Sequence, residues 1–122
     1  MSRGAHTQLG RWGEEQVAGY LRQRGWNIVA ANYRTRFGEI DLIAENAHFL
    51  VFVEVKLRSG RGPVRGVEAV DRHKQQRLRT TAEWYLSLYP TEKQPRFDVA
   101  EVIAPDGTHT AAPEIRYLEN VF

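Results

Sequence analysis

Asp41, Glu54 and Lys56 are of the types, and at the spacing, that suit metal-assisted chemistry on a phosphate ester. Both acids interrupt runs that otherwise read as strands. Glu39–Ala44 alternates, with Ile40, Leu42 and Ala44 on one side and Glu39, Asp41 and Ile43 on the other. Phe49–Leu57 is rich in Val and Phe and reads as a central, largely buried strand. Glu54 and Lys56 share a face with Phe52 there, while Val51, Val53 and Val55 line the other. A carboxylate and an ammonium in such a strand are costly unless they are paired or bind something. A hairpin symmetric about Ala47 and His48 sets Asp41 opposite Glu54, where like charges repel. A divalent cation between them removes that penalty. Oxygen donors of this kind suit Mg²⁺ or Mn²⁺, held by one or two carboxylates together with water and substrate phosphate. Lys56 is then placed to polarise a phosphate oxygen or to help activate a water.

Glu14 supplies a third acid. It shares a helical face with Val17, Ala18 and Leu21, the face that packs on the sheet, whereas Glu15 falls with Gly19 and Arg22 towards solvent. Gly10 and Gly13 allow close backbone approach on that side. Glu39 projects on the Asp41 side as an accessory ligand or an exposed strand-end acid. Taken singly, each acid also has a plain structural reading. Glu54 and Lys56 make an ion pair, Asp41 protects an edge strand, and Glu14 complements a helix dipole. Lys74 either points a charge into the groove or covers apolar surface with its stem, the latter being preferred. Asp98 is expected to pair with Arg96 rather than with a metal.

These residues need a scaffold. Thr7 is a plausible N-cap for a helix reaching Arg24, and Gly25 a plausible stop. Short strands are expected at Trp26–Ala30, Glu39–Ala44, Phe49–Leu57, Phe97–Ile103 and Ile115–Leu118, with a loop over Asn32–Gly38. A second helix is expected over Val67–Tyr89, with an apolar stripe of Val67, Val70, Leu78, Ala82, Tyr85 and Leu86. The order α-β-β-β-α-β-β implies an α/β sandwich in which two main helices flank a mixed sheet.

The chain has 122 residues, so residues 1–122 are read as one domain. With no cysteine, thiolate zinc sites, disulfides and cysteine nucleophiles are excluded. Four scattered histidines without an i, i+4 pair disfavour zinc, and Ser2, Ser59 and Ser87 lack a serine-hydrolase context. The longest wholly apolar run, Phe49–Val53, falls far short of the roughly 20 residues of a membrane span. No membrane partner and a cytoplasmic location are expected, since no secretory leader is visible. A net charge of +2 does not imply nucleic acid, but its distribution is uneven. Arg58, Arg61, Arg65 and Lys74 cluster between residues 58 and 79, and Arg34 and Arg36 form a second basic spot. Such clusters grip backbone phosphates at modest total charge. Of the surface aromatics Trp12, Trp26 and Trp84, two are expected in the core.

Asp41 with Glu54-Val55-Lys56 resembles the core motif of the PD-(D/E)xK nuclease superfamily, which includes restriction endonucleases and archaeal Holliday junction resolvases. Glu14 is similar to the additional acid of the resolvase branch. The proline that sometimes precedes the aspartate is replaced by Ile40, a common departure. Four segments resemble the bacterial YraN-like family over nearly the whole chain: Gly10-Arg11-Trp12-Gly13-Glu14, Gly38-Glu39-Ile40-Asp41-Leu42-Ile43, Val51-Phe52-Val53-Glu54-Val55-Lys56 and Arg96-Phe97-Asp98-Val99.

The resemblance implies a restriction endonuclease-like fold and a Mg²⁺- or Mn²⁺-dependent endonuclease acting on DNA, branched or structured DNA included. Asp41 and Glu54 would hold the metal with Glu14 as a further ligand, and Lys56 would position the attacking water. Junction resolution would require two active sites, hence a homodimer. The alternative is a nucleic-acid-binding module that keeps the scaffold without cutting.

Overall fold

The computed structural model describes residues 7–60 and 71–122. Helix α1 spans Gln8–Gln23, followed by strands β1 (Asn27–Thr35), β2 (Gly38–Glu45) and β3 (Phe49–Arg58). Helix α2 (Arg72–Leu88) leads to β4 (Gln94–Ile103), a short 3-10 turn (Gly107–His109) and β5 (Glu114–Leu118). The expected order of elements and the α/β class are as found. The strands form one five-stranded sheet in sequence order. Only β3 and β4 are parallel, and α2 makes the crossover that a parallel pair requires.

Both helices begin at side-chain caps. The Thr7 hydroxyl accepts from the Gly10 N–H at 2.9 Å, and the Asp71 carboxylate accepts from the Lys74 N–H at 2.8 Å. Gly25, at φ 89°, takes the left-handed conformation that ends α1. The Asp71 cap puts the start of α2 at Arg72, later than the expected Val67. Val67 and Val70 lie outside the described residues.

The helices cover opposite faces of the sheet. Val17, Ala18 and Leu21 of α1 pack on Leu42, Ala44, Val51, Val53, Ala100 and Val102. Leu78, Ala82 and Tyr85 of α2 pack on Ile40, Ile43, Leu50, Phe52 and Val99. Alternation along β3 therefore holds, but along β2 it breaks at Asp41. Ile40 joins the α2 side and not, as expected, the side of Leu42 and Ala44. The neighbouring strand is irregular at the matching point, where Asn32 has φ 55°. The expected loop over Asn32–Gly38 is mostly strand. β1 continues to Thr35, and only Arg36 and Phe37 turn the chain. The Thr35 hydroxyl holds that turn by accepting the Phe37 N–H at 3.0 Å.

Asp98 is structural, as expected. Arg96 donates to both of its oxygens at 3.0 and 2.9 Å, Tyr117 Oη donates at 2.7 Å, and the Asn120 N–H donates at 2.8 Å. This bidentate, fully partnered acid ties β4 to β5 and the segment after it. Trp12 and Trp26 pack against the α1-side core, while Trp84 is exposed.

Candidate active site

The antiparallel ladder between β2 and β3 begins at Glu45–Leu50 and ends at Leu42–Val53. Beyond that pair, β2 continues with β1 down to Gly38, and β3 continues with β4 to Arg58. The sheet thus forks one residue pair before Asp41 and Glu54. The register is the expected one, but the two acids flank an opening rather than sit in a closed ladder. The Asp41 carboxylate Oδ2 accepts the Val55 N–H at 2.8 Å, so a side chain bridges the strands where main-chain pairing has stopped.

The fork is the inner end of an open cleft of about 820 Å³, lined by Glu14, Glu39, Asp41, Glu54, Lys56 and Lys74, among others. Four elements deliver these groups. Glu14 comes from the buried face of α1, which approaches closely because Gly13 lies against Leu57. A Cβ on Gly13 would come within 3.0 Å of Leu57 Cδ2. Glu39 and Asp41 come from β2, Glu54 and Lys56 from β3, and Lys74 from the first turn of α2. The opening between β2 and β3 lets groups from opposite faces of the sheet meet.

Glu54 is the electrostatic hub. Its Oε2 lies 3.3 Å from Lys56 Nζ and 2.6 Å from Lys74 Nζ. The Glu54–Lys56 ion pair of the plain structural reading is present, and Lys74 adds a second cation from above. Lys74 therefore points its charge into the groove, against the preferred reading of a stem laid over apolar surface. The Asp71 cap fixes the backbone of Lys74 at the helix start, which aims the side chain at Glu54.

Burial shifts Glu14 and Asp41 upward. Burial pushes the Glu14 carboxyl up to about 7, the charges of Glu39 and Glu54 push the same way, and a hydrogen bond from Asn32 opposes them. Burial, then the charge of Glu54, holds Asp41 well above the ordinary aspartate range, against the pull of the Val55 N–H. Burial lowers the Lys56 ammonium, with Glu54 opposing and Lys74 adding to the fall. For Lys74, burial alone would lower the ammonium, but the attraction of Glu54 leaves it raised.

Asn32 belongs to the site although the sequence places it only in a loop. Its Nδ2 donates to Glu14 Oε1 at 2.9 Å, and its Oδ1 is buried without a partner among the described residues. The signal was an asparagine inside an apolar run, a residue type that tolerates left-handed backbone. Arg77, another member of the basic stretch between residues 58 and 79, also lines the cleft.

The basic residues separate into groups. Arg34 and Arg36 line the cleft. Arg58 is instead drawn to buried Glu101, at 3.4 Å from its Oε2. Arg61 and Arg65 lie outside the described residues.

Fold and cleft together define a small α/β sandwich with an acid- and lysine-lined fork at one end of a mixed sheet. No helix among the described residues is long and apolar enough to cross a membrane. Residues 13–102 match the model of "Uncharacterised protein family UPF0102", and the chain belongs to that family. A UPF0102 protein of Synechococcus sp. (strain JA-3-3Ab) is 43% identical over 118 residues, covering 93% of this chain and 90% of the relative. One from Nocardia farcinica is 43% identical over 120 residues, covering 98% and 92%. One from Symbiobacterium thermophilum is 48% identical over 102 residues, covering 82% and 86%.

Proposed function

We propose that the fork is the active site of a metal-dependent endonuclease acting on DNA, of the PD-(D/E)xK kind that Asp41 and Glu54-Val55-Lys56 resemble. The observation that carries this reading is the convergence of Asp41, Glu54 and Glu14 on one cleft, each acid within electrostatic reach of the other two. A cleft in which burial and neighbouring acids hold Asp41 and Glu14 above their ordinary pKa is short of positive charge, which a divalent cation supplies.

The donor set fits Mg²⁺ or Mn²⁺. All three groups are hard oxygen donors, although no group of three or more acids or histidines among the described residues stands close enough together to hold a metal ion. Mg²⁺ bound by one or two carboxylates takes its remaining positions from water and substrate phosphate. Asp41 and Glu54 would hold it, with Glu14 as a third ligand or a water-mediated contact. When bound, the ion would lower the pKa of a water and stabilise charge on the phosphate.

The chain's own groups do the rest. Lys56, with its ammonium destabilised by burial, orients the attacking water and offsets charge that develops on the phosphoryl oxygens. Arg34 and Arg36 along the cleft position the backbone without reading sequence. Asn32 holds the Glu14 carboxylate in place.

One observation favours the alternative of a binding module that does not cut. Glu54 already has two ammonium partners, so its charge is answered without a metal. Cleavage decides between the readings. Labelled single-stranded, duplex, flap and four-way-junction DNA are incubated with Mg²⁺ or Mn²⁺, alongside Glu54→Ala and an EDTA control. Metal-dependent cutting that disappears in Glu54→Ala is expected. Binding without cutting on any of these substrates sinks the enzyme reading and leaves the module.

A further inference from the structure

The β1–β2 turn is pinned to α2. Gly38 lies so close to the helix that a Cβ there would meet Thr81 Oγ1 at 3.1 Å, and the Phe37 ring lies 5.8 Å from the Trp84 ring at 57°. Arg77, Thr81 and Trp84 follow one another at spacings of four and three, so they share one helix face. That face leads from the cleft, which Arg77 and Phe37 line, out to Trp84. Trp84 keeps 45% of its surface exposed although the Phe37 ring lies against it. The Arg36 guanidinium sits 5.0 Å from the Phe37 ring centroid, and Arg36 and Arg77 are both exposed. Aromatic surface flanked by Arg36 and Arg77, beside the cleft read above as a phosphate site, fits a partner with an aromatic plane and an anionic backbone.

We propose that Trp84, braced by the tilted Phe37 ring, forms a stacking platform for an unpaired nucleobase of the DNA strand whose phosphate enters the cleft. This rests on the reading of the cleft as a polynucleotide site, and it narrows the substrate to DNA with unpaired bases beside the scissile phosphate. A paired base inside a duplex has both faces covered by its neighbours and cannot lie on the platform. An unpaired one can, with Arg36 and Arg77 placed to meet the flanking phosphates. Stacking of this kind tolerates any base, since every base has a π-face.

The test separates bases from phosphates. Labelled oligothymidylate and an abasic deoxyribose-phosphate strand of equal length carry the same backbone charge. Their affinities are measured by fluorescence anisotropy in EDTA, so that no cleavage intervenes. The protein is expected to bind the base-bearing strand about tenfold more tightly. Trp84→Leu, an exposed change that spares the core, is expected to reduce that ratio to about twofold, while Trp84→Phe keeps most of it. Equal affinity for the two strands overturns the proposal, as does an undiminished ratio in Trp84→Leu. The nuclease reading stands or falls separately. Base preference in a protein that never cuts sinks only the nuclease reading, and metal-dependent cutting by a protein indifferent to bases sinks only the platform.

Discussion

The Asp41 carboxylate accepts the Val55 N–H at 2.8 Å, just where the β2–β3 ladder has ended. This one acid thus has a structural task and a candidate chemical one, and the two respond differently to substitution. Asp41→Asn keeps an acceptor for Val55 and removes a charge that Glu54 repels. Asp41→Ala leaves the N–H without its partner. Urea unfolding of the metal-free protein is expected to show Asp41→Asn at least as stable as the parent, and Asp41→Ala less stable than Asp41→Asn by about 1–2 kcal/mol. Cleavage is expected to be lost in both.

Glu14 is expected to make stability depend on pH. An acid whose pKa is raised by folding favours the folded state when protonated. That contribution is complete below the ordinary carboxyl range and disappears as pH rises through about 7. Asp41 is raised too and acts in the same direction. In EDTA, unfolding free energy is expected to fall by about 2 kcal/mol more in the parent than in Glu14→Gln between pH 5 and pH 7.5. Denaturant melts of both proteins across that range measure the difference, and parallel curves would remove the case for a strained Glu14.

Divalent cations are expected to reverse that loss. Mg²⁺ or Mn²⁺ binds the ionised acids of the folded state, so it should raise the melting temperature at pH 8 and do little at pH 5. At a hundredfold excess over its dissociation constant the stabilisation is about 2.7 kcal/mol. Calorimetric scans with and without the metal check this, and Asp41→Asn should lose most of the shift.

Glu54 and Lys74 are expected to be coupled. Glu54→Gln leaves two ammonium groups facing each other across a partly buried cleft. Replacing Lys74 by Met in that background removes one of them. A double-mutant cycle on unfolding free energy should give a coupling of about 1 kcal/mol, held down by the partial exposure of both lysines. A coupling near zero would mean that the 2.6 Å contact contributes nothing in solution.

Much of this site is legible in the sequence because strands and helices have fixed periods. The i, i+2 spacing puts Glu54 and Lys56 on one face. Hairpin symmetry sets the register of Asp41, and helical spacing selects Glu14 over Glu15, which is exposed. What stayed hidden is where the periods fail. Nothing in the local pattern announces that β2 leaves β3 after Leu42, or that Ile40 then turns to the α2 side. Asn32 falls in the expected loop because left-handed backbone within a strand has no periodic signature. Lys74 departs from expectation because its target lies on another element, and only the tertiary fold shows that Glu54 waits below the start of α2. Arg58 shows the reverse case, a basic residue in a basic stretch that a buried acid on β4 draws away from the cleft.

The fork also gives the sheet a third margin. An ordinary open sheet has two edges, here β1 and β5. Past Leu42 and Val53, the facing sides of β2 and β3 are edges too, set within the sheet and bearing main-chain groups that a stray extended segment would pair with. Asp41, Glu54 and Lys56 fill that margin with charge, and Asp41 covers one of its N–H groups outright. The same side chains that make the cleft a candidate for chemistry therefore guard it against strand addition and self-association. Neutralising them together would remove that guard, so a multiply substituted inactive variant invites aggregation where a single substitution does not.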